Sequence, residues 1–331
     1  MLKVLVYGYL KTINYIIMFI EKKDSWLFLA KKVAWKKILV KIVWEIITSE
    51  SITQLTKKEC AFIYSLDSYK NFSTEIYNED LLQGVVYQSM LLSNAGNVWN
   101  IEDKKISYDE NVMKNIISIW WWSDLDFPKK FIYNSNHIEG SKIPEEEVEK
   151  IIENKRYRYK VKNEIQEVEN SIKSWNFIKE KFLFNEANIK KLYHILTKNL
   201  LQETGEKYPR WFKKVVNVVN NSITTAPENV SWEINSLIQF YKENKKNIFP
   251  LQSAFDFHLK YEQIHPFENG NGRTGRFIMN KILLQNTFFP MIVFIENKQA
   301  YFHAIASCKS GNKKKYYKFM LEQYKKTLDQ I

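Results

Sequence analysis

The chain has 331 residues, 45% apolar and 15% aromatic, enough to bury a sizeable core and to set intrinsic disorder aside as its general state. Its formal charge of +12 comes mainly from lysines scattered along the whole length, which describes a solvated surface and specifies neither nucleic acid nor anionic lipid without a clustered patch. Two cysteines, Cys60 and Cys308, lie far apart without His or Cys neighbours at ligand spacing, so neither a disulfide framework nor a zinc site is indicated and a reducing, cytoplasmic setting fits.

Residues 1–20 are apolar but interrupted by Lys3 and Lys11, and the unbroken run 12–20 falls short of the roughly twenty residues a bilayer demands, so a core helix or strand is expected there, not a span. Over 26–47, apolar residues alternate with the lysine pairs Lys31-Lys32 and Lys36-Lys37, a spacing that predicts an amphipathic helix with a basic face of snorkelling lysines. Residues 49–109 read as further helices with polar connections and carry no chemical motif. Trp120, Trp121 and Trp122 cannot share one helix face, so packing is expected there and not a stacking platform.

Past Pro128 a short helix is predicted to end near Gly140, and another to begin near Pro144, where Glu145, Glu146 and Glu147 complement the dipole of the first turn. Helical spacing continues over 161–184 and 189–201 and breaks at Gly205 and Pro209. Two short β-branched strands follow, Val215 to Val219 and Ile223 to Thr225, around the turn Asn220-Asn221. Helices are then predicted over about 232–243 and 251–264.

Between the last of these and the apolar stretch resuming at Phe277 lies His265-Pro266-Phe267-Glu268-Asn269-Gly270-Asn271-Gly272-Arg273-Thr274-Gly275-Arg276. Gly270, Asn271 and Gly272 can turn their amides into one concavity, and the helix that follows adds unpaired N–H groups and its positive end, so the place suits an anion. Arg273 and Arg276, three apart, can reach the same polyphosphate. His265, at the rim, is placed to take a proton from an incoming hydroxyl.

This segment resembles the signature of the Fic family, matching it at His265, Phe267, Gly270, Asn271, Gly272, Arg273 and Arg276, and the strand pair before it resembles the family's flap hairpin, which holds a target segment by strand addition. The resemblance covers about 123–311. It implies a mainly α, Fic-type helical bundle with a small β-hairpin flap, preceded by a helical N-terminal region. The domains expected are a region 1–109 of unknown role and a Fic domain 110–331, with an inhibitory helix at about 129–140, the flap at about 214–226 and the active-site loop at 265–276.

It implies, further, transfer of AMP from ATP onto a Ser, Thr or Tyr hydroxyl of a protein, with Mg2+. His265 would be the base, and Asn269, Gly270, Asn271, Gly272, Arg273, Arg276 and Tyr301 would form the nucleotide site. The family's metal-binding acid falls on Asn269, whose amide oxygen brings no negative charge, which keeps a weakened scaffold that binds nucleotide or a partner without turnover as the alternative. On the adenine side Tyr301 and Gly311 match the family pattern and Lys309 departs from it. Ser135-Asn136-His137-Ile138-Glu139-Gly140 resembles the family's inhibitory motif, with Ser135 and Glu139 as its marks. Glu139 would pair with Arg276 and deny it to the γ-phosphate. In some relatives the same glutamate positions the water that removes AMP. The partners expected are a hydroxyl-bearing target protein docked on the flap, the chain itself among the candidates, with a homodimer left open and no specific nucleic acid or membrane contact.

Overall fold

Helices dominate the computed structural model, which describes residues 18–23, 26–33, 36–42, 49–76, 78–98, 127–219, 222–308 and 312–330. It opens on three antiparallel strands, β1 (Met18–Lys23), β2 (Trp26–Val33) and β3 (Lys36–Ile42), in the order β1-β2-β3. The helix expected over 26–47 is therefore corrected to a hairpin. Lys32 faces Lys37 and Val33 faces Lys36 across β2 and β3, so the lysine pairs mirror one another about a chain reversal. Their five-residue offset, about 140° around a helix, marks no single helical face. Runs such as Trp-Leu-Phe-Leu and Ile-Leu-Val carry the β-branched and aromatic content of strands.

Three helices follow, α1 (Ser49–Ser65), α2 (Asp67–Ile76) and α3 (Glu79–Val98), where helices were expected. Their buried faces join the core of the later chain. Phe72 meets Tyr317 edge-on at 5.1 Å and Phe249 at 6.0 Å, and the Ser89 hydroxyl lies 2.9 Å from the Tyr324 hydroxyl while accepting from the Phe289 amide. The Trp120 to Trp122 run lies outside the described residues.

Next come α4 (Phe127–Ile138), α5 (Glu145–Ile152), α6 (Lys162–Glu180) and α7 (Glu186–Thr197). Gly140, at φ 107°, follows the end of α4, and α5 starts behind Pro144 with three acids in its first turn, as the residue pattern predicts. Asn185 caps α7, its side chain accepting the Asn188 amide at 2.7 Å. The hairpin of β4 (Val218–Val219) and β5 (Ser222–Ile223) is shorter than its β-branched run and exposes Val215, Val216, Val218 and Ile223.

The chain closes with α8 (Val230–Asn244), α9 (Pro250–Ile264), α10 (Asn271–Gln285), α11 (Lys298–Ser307) and α12 (Lys314–Asp329). Helix α10 is enclosed along nearly its whole length, so its polar residues need partners. Asn280 exchanges both amide bonds with the backbone of Met291, at 3.0 and 2.8 Å. Against α10 packs α4, through Phe131 on Phe277 at 4.9 Å, while Phe127 and Phe131 both lie against Trp175 of α6. Residues 127, 131, 135 and 139 recur every fourth position, so the stripe that anchors α4 also carries Ser135 and Glu139 toward α10.

Because Phe72 ties α2 to the C-terminal helices, Phe72→Ala is expected to lower the stability of the whole chain by about 3–5 kcal/mol in one cooperative urea transition. An unchanged midpoint for α9 to α12 would mean that the early helices fold apart.

Candidate active site

The loop between α9 and α10 is shaped by backbone geometry before any side chain reaches a ligand. Helix α9 ends on His265, which is left-handed at φ 51° and ψ 64°, and α10 begins behind Gly270 at φ 78°. A non-glycine residue in that region needs support from its surroundings. Support comes from Phe267, fully buried and stacked on Tyr193 with ring centroids 3.6 Å apart. The buried Asn271 side chain accepts from the Phe267 amide and donates to its carbonyl, both at 2.8 Å. Asn271 thus braces the loop with its side chain and leaves its backbone N–H to the cradle. The Thr274 hydroxyl donates to the Gly270 carbonyl at 2.9 Å and pins the start of α10.

Arg276 is 1% exposed on this helix. Its Nε donates to the Ser135 hydroxyl at 3.1 Å, and Nη2 donates to the Ser135 carbonyl at 2.8 Å and to Glu139 Oε1 at 2.7 Å. The predicted pair of Glu139 and Arg276 is therefore formed. Burial works against a charge on Glu139, but Arg276 and Arg273 outweigh it and hold the carboxyl below its ordinary range. Nη1 of Arg276 makes no hydrogen bond among the described residues and lies close to Gly272, where an added Cβ would come within 3.0 Å of it and within 2.3 Å of Glu139 Oε1. Glycine at 272 is thus what lets the Glu139 carboxylate lie in the mouth of the cradle.

Arg273 is engaged as well, donating from Nη1 to Glu167 of α6 at 2.8 Å. Burial raises the Glu167 carboxyl above its ordinary range, against the pull of Arg273. Nothing near residue 167 in sequence announces this pairing. Tyr301 sits behind the cradle, 1% exposed, with its hydroxyl 2.6 Å from His258 Nε2. Lys309 and Gly311 lie outside the described residues.

His265 is half-buried at the rim. Burial, then the nearby Lys213 ammonium, push its imidazole down to about 4, while Glu139 and the Glu262 carbonyl pull the other way. The ring is therefore neutral at physiological pH and able to accept a proton. Lys213 and Asn217, which reach the loop from the neck of the flap, carry no recognisable sequence signal.

Asn269 is exposed, and its side-chain nitrogen donates to Gln202 Oε1. Its amide oxygen is a single neutral donor, and among the described residues no group of three or more His, Cys, Asp or Glu is placed to hold a metal ion. This set does not fit a resident Mg2+, which favours one or two carboxylates.

Residues 183–283 match the family model described as Fic/DOC family. A protein adenylyltransferase Fic of Nematostella vectensis is 29% identical over 112 residues, 34% of this chain and 26% of that protein. Its counterpart in Drosophila melanogaster is 32% identical over 87 residues, 26% of this chain and 18% of that protein. The matched part of the chain thus spans about a quarter or less of these relatives. Among solved structures, a Fic domain-containing signaling protein from Bacteroides thetaiotaomicron superposes with a TM-score of 0.58 at 18% identity, over 73% of this chain and 94% of that one. Fic-1 from C. elegans superposes with 0.56 at 15% identity, over 85% and 81%. At these identities the likeness is one of fold: a helical Fic bundle.

A titration of the His265 imidazole by NMR is expected to give a midpoint near 4. Replacing Glu139, which raises that value, should move the midpoint lower; a midpoint in the ordinary histidine range would contradict the burial and charge described.

Proposed function

We propose, from the match of residues 183–283 to the Fic/DOC family model, that the chain is an autoinhibited protein adenylyltransferase. The observation that supports the reading best is the position of Glu139. Its carboxylate is bonded to Arg276 and lies over Gly272, where the cradle would take the terminal phosphates of ATP.

In the proposed reaction the neutral His265 takes the proton of a Ser, Thr or Tyr hydroxyl as its oxygen bonds to the α-phosphorus. The bond from that phosphorus to the bridging oxygen breaks, and pyrophosphate leaves. The amides of Gly270, Asn271 and Gly272 and the open end of α10 face the charge that develops on the transferring phosphate. Arg276 takes the γ-phosphate once Glu139 withdraws, and Arg273 adds positive potential from its place against Glu167. The target segment adds as a strand to the flap, whose exposed Val218 and Ile223 supply apolar contact. The substrate protein includes the chain itself, and water held by Glu139 in place of the hydroxyl removes AMP.

The proposal places the protein in the cytoplasm, in keeping with Cys60 and Cys308 as buried thiols. Among the described residues no helix is long and apolar enough to cross a membrane. A homodimer stays compatible with all of this.

Glu139→Gly is expected to raise self-labelling from ATP and Mg2+ about tenfold or more, equivalent to about 1.4 kcal/mol of barrier. The label should vanish in a Glu139→Gly, His265→Ala control. A folded Glu139→Gly protein that labels no faster than the parent would remove the brake.

The uncharged Asn269 favours a second reading, a scaffold that binds nucleotide without turnover. Asn269→Asp separates the two: it should lower the Mg2+ concentration for half-maximal labelling in the Glu139→Gly background. Nucleotide binding without label in both proteins would favour the scaffold.

A further inference from the structure

Lys213 lies in the segment leading into the flap and belongs to no signature. It is 2% exposed, yet its ammonium meets no carboxylate among the described residues. Nζ donates to the Thr224 hydroxyl at 2.5 Å and to the Ile264 carbonyl at 3.2 Å, and the Lys213 amide donates to the Pro266 carbonyl at 2.9 Å. Ile264 and Pro266 are the residues on either side of His265. One residue therefore holds the carbonyls of both neighbours of the proposed base, and the first of them belongs to the peptide that leads into its left-handed backbone.

The other end of the grip is the neck of the flap. The Thr224 hydroxyl and amide both donate to the Asn217 carbonyl, at 3.0 and 3.1 Å, closing the hairpin below β4 and β5. The Asn217 side chain then donates to the Phe267 and Glu268 carbonyls, at 3.1 and 2.9 Å. The flap and residues 264–268 are joined by hydrogen bonds from two sides.

A buried ammonium without a counter-charge costs free energy that a neutral donor of similar length would avoid. Burial lowers Lys213 to about 8, which still leaves it mostly charged at neutral pH. Three groups bear on the His265 imidazole: Lys213 from the flap neck, Glu139 from beyond the end of α4, and the Glu262 carbonyl from α9. Lys213 is the one of these that disfavours the imidazolium.

We infer that Lys213 is a positioning residue for the transfer reaction, holding the flap that presents the target hydroxyl in register with His265 and setting a fixed positive charge beside that imidazole. The inference rests on the adenylyltransferase reading above.

The test uses the full chain in the Glu139→Gly background, with Lys213→Met to remove charge and donor at similar length and Lys213→Arg to restore charge. Two quantities are read: the rate of self-labelling against pH and ATP concentration, and the His265 titration by NMR, assigned against His265→Ala. Lys213→Met should lower kcat about tenfold or more with KM for ATP changed less than about twofold, because the nucleotide cradle is untouched. It should also raise the His265 midpoint. Lys213→Arg should recover the midpoint.

A folded Lys213→Met protein with unchanged kcat and midpoint overturns the inference. If Lys213→Met does not fold, Thr224→Val removes the hydroxyl that receives Nζ and leaves the charge in place. It should lower kcat with the midpoint unmoved, and an unchanged kcat overturns the positioning role. If the Glu139→Gly parent transfers no label from any nucleotide, the adenylyltransferase reading fails by itself. The titration then decides for Lys213: an unmoved midpoint overturns its part, and a raised one supports it.

Discussion

The guanidinium of Arg276 is the group around which the site is built, because a cation this deeply enclosed has to be satisfied by something. In the resting arrangement the Ser135 hydroxyl and carbonyl and the Glu139 carboxylate do so. That requirement reaches back into the fold. Ser135 and Glu139 come into place because Phe127 and Phe131 fix α4 against Trp175 and Phe277, on the face that continues to residues 135 and 139. Packing at one end of α4 thus sets electrostatics at the other. In the proposed reaction an arriving polyphosphate would replace a carboxylate already in position, and that exchange costs less than creating a bare buried cation would.

The loop below this pair is rigid for a different reason. His265 and Gly270 turn the chain at its two ends, Asn271 closes a ring of hydrogen bonds onto Phe267, and Tyr193 covers the Phe267 ring. Amides fixed in this way need no reorganisation when charge develops before them, the condition under which backbone dipoles contribute most to a transition state. The flap, by contrast, exposes most of its apolar side chains, and its order at the site rests on Lys213, Thr224 and Asn217.

Much of this was legible in the residues. Spacing marked the helices between residues 161 and 264, Gly140 and Pro144 marked the break between two earlier ones, and the crowding of His265, the glycines and two arginines within twelve positions marked the loop, while the last two helices, α11 and α12, were not foreseen. The hairpin at 26–42 was not, because paired lysines among apolar residues fit a basic helical face as readily as a mirrored strand pair until pairing partners are known. The pairing of Glu167 with Arg273 spans 106 positions, and Lys213 reads as one more lysine in a lysine-rich chain. Both depend on which helices become neighbours, and no local pattern encodes that. The Glu139 pairing spans a similar distance, and it was legible only because a short motif came with a mechanism attached.

Two carboxylates hold the two arginines, but they are not equivalent. Glu167 is in the body of α6, and its side chain is 14% exposed against an Arg273 at 4%. Releasing it would mean shifting a helix packed along its length. Glu139 lies just past the end of α4, is 28% exposed, and leans over a glycine where any other residue would collide with it. Local displacement is cheap where few buried contacts hold a segment. The contact most able to leave is therefore the one that covers the cradle, while the deeper pair keeps Arg273 oriented. In the proposed function that division would let one arginine stay fixed as the other changes partner, which is what a brake needs if its release is to leave the remaining site intact.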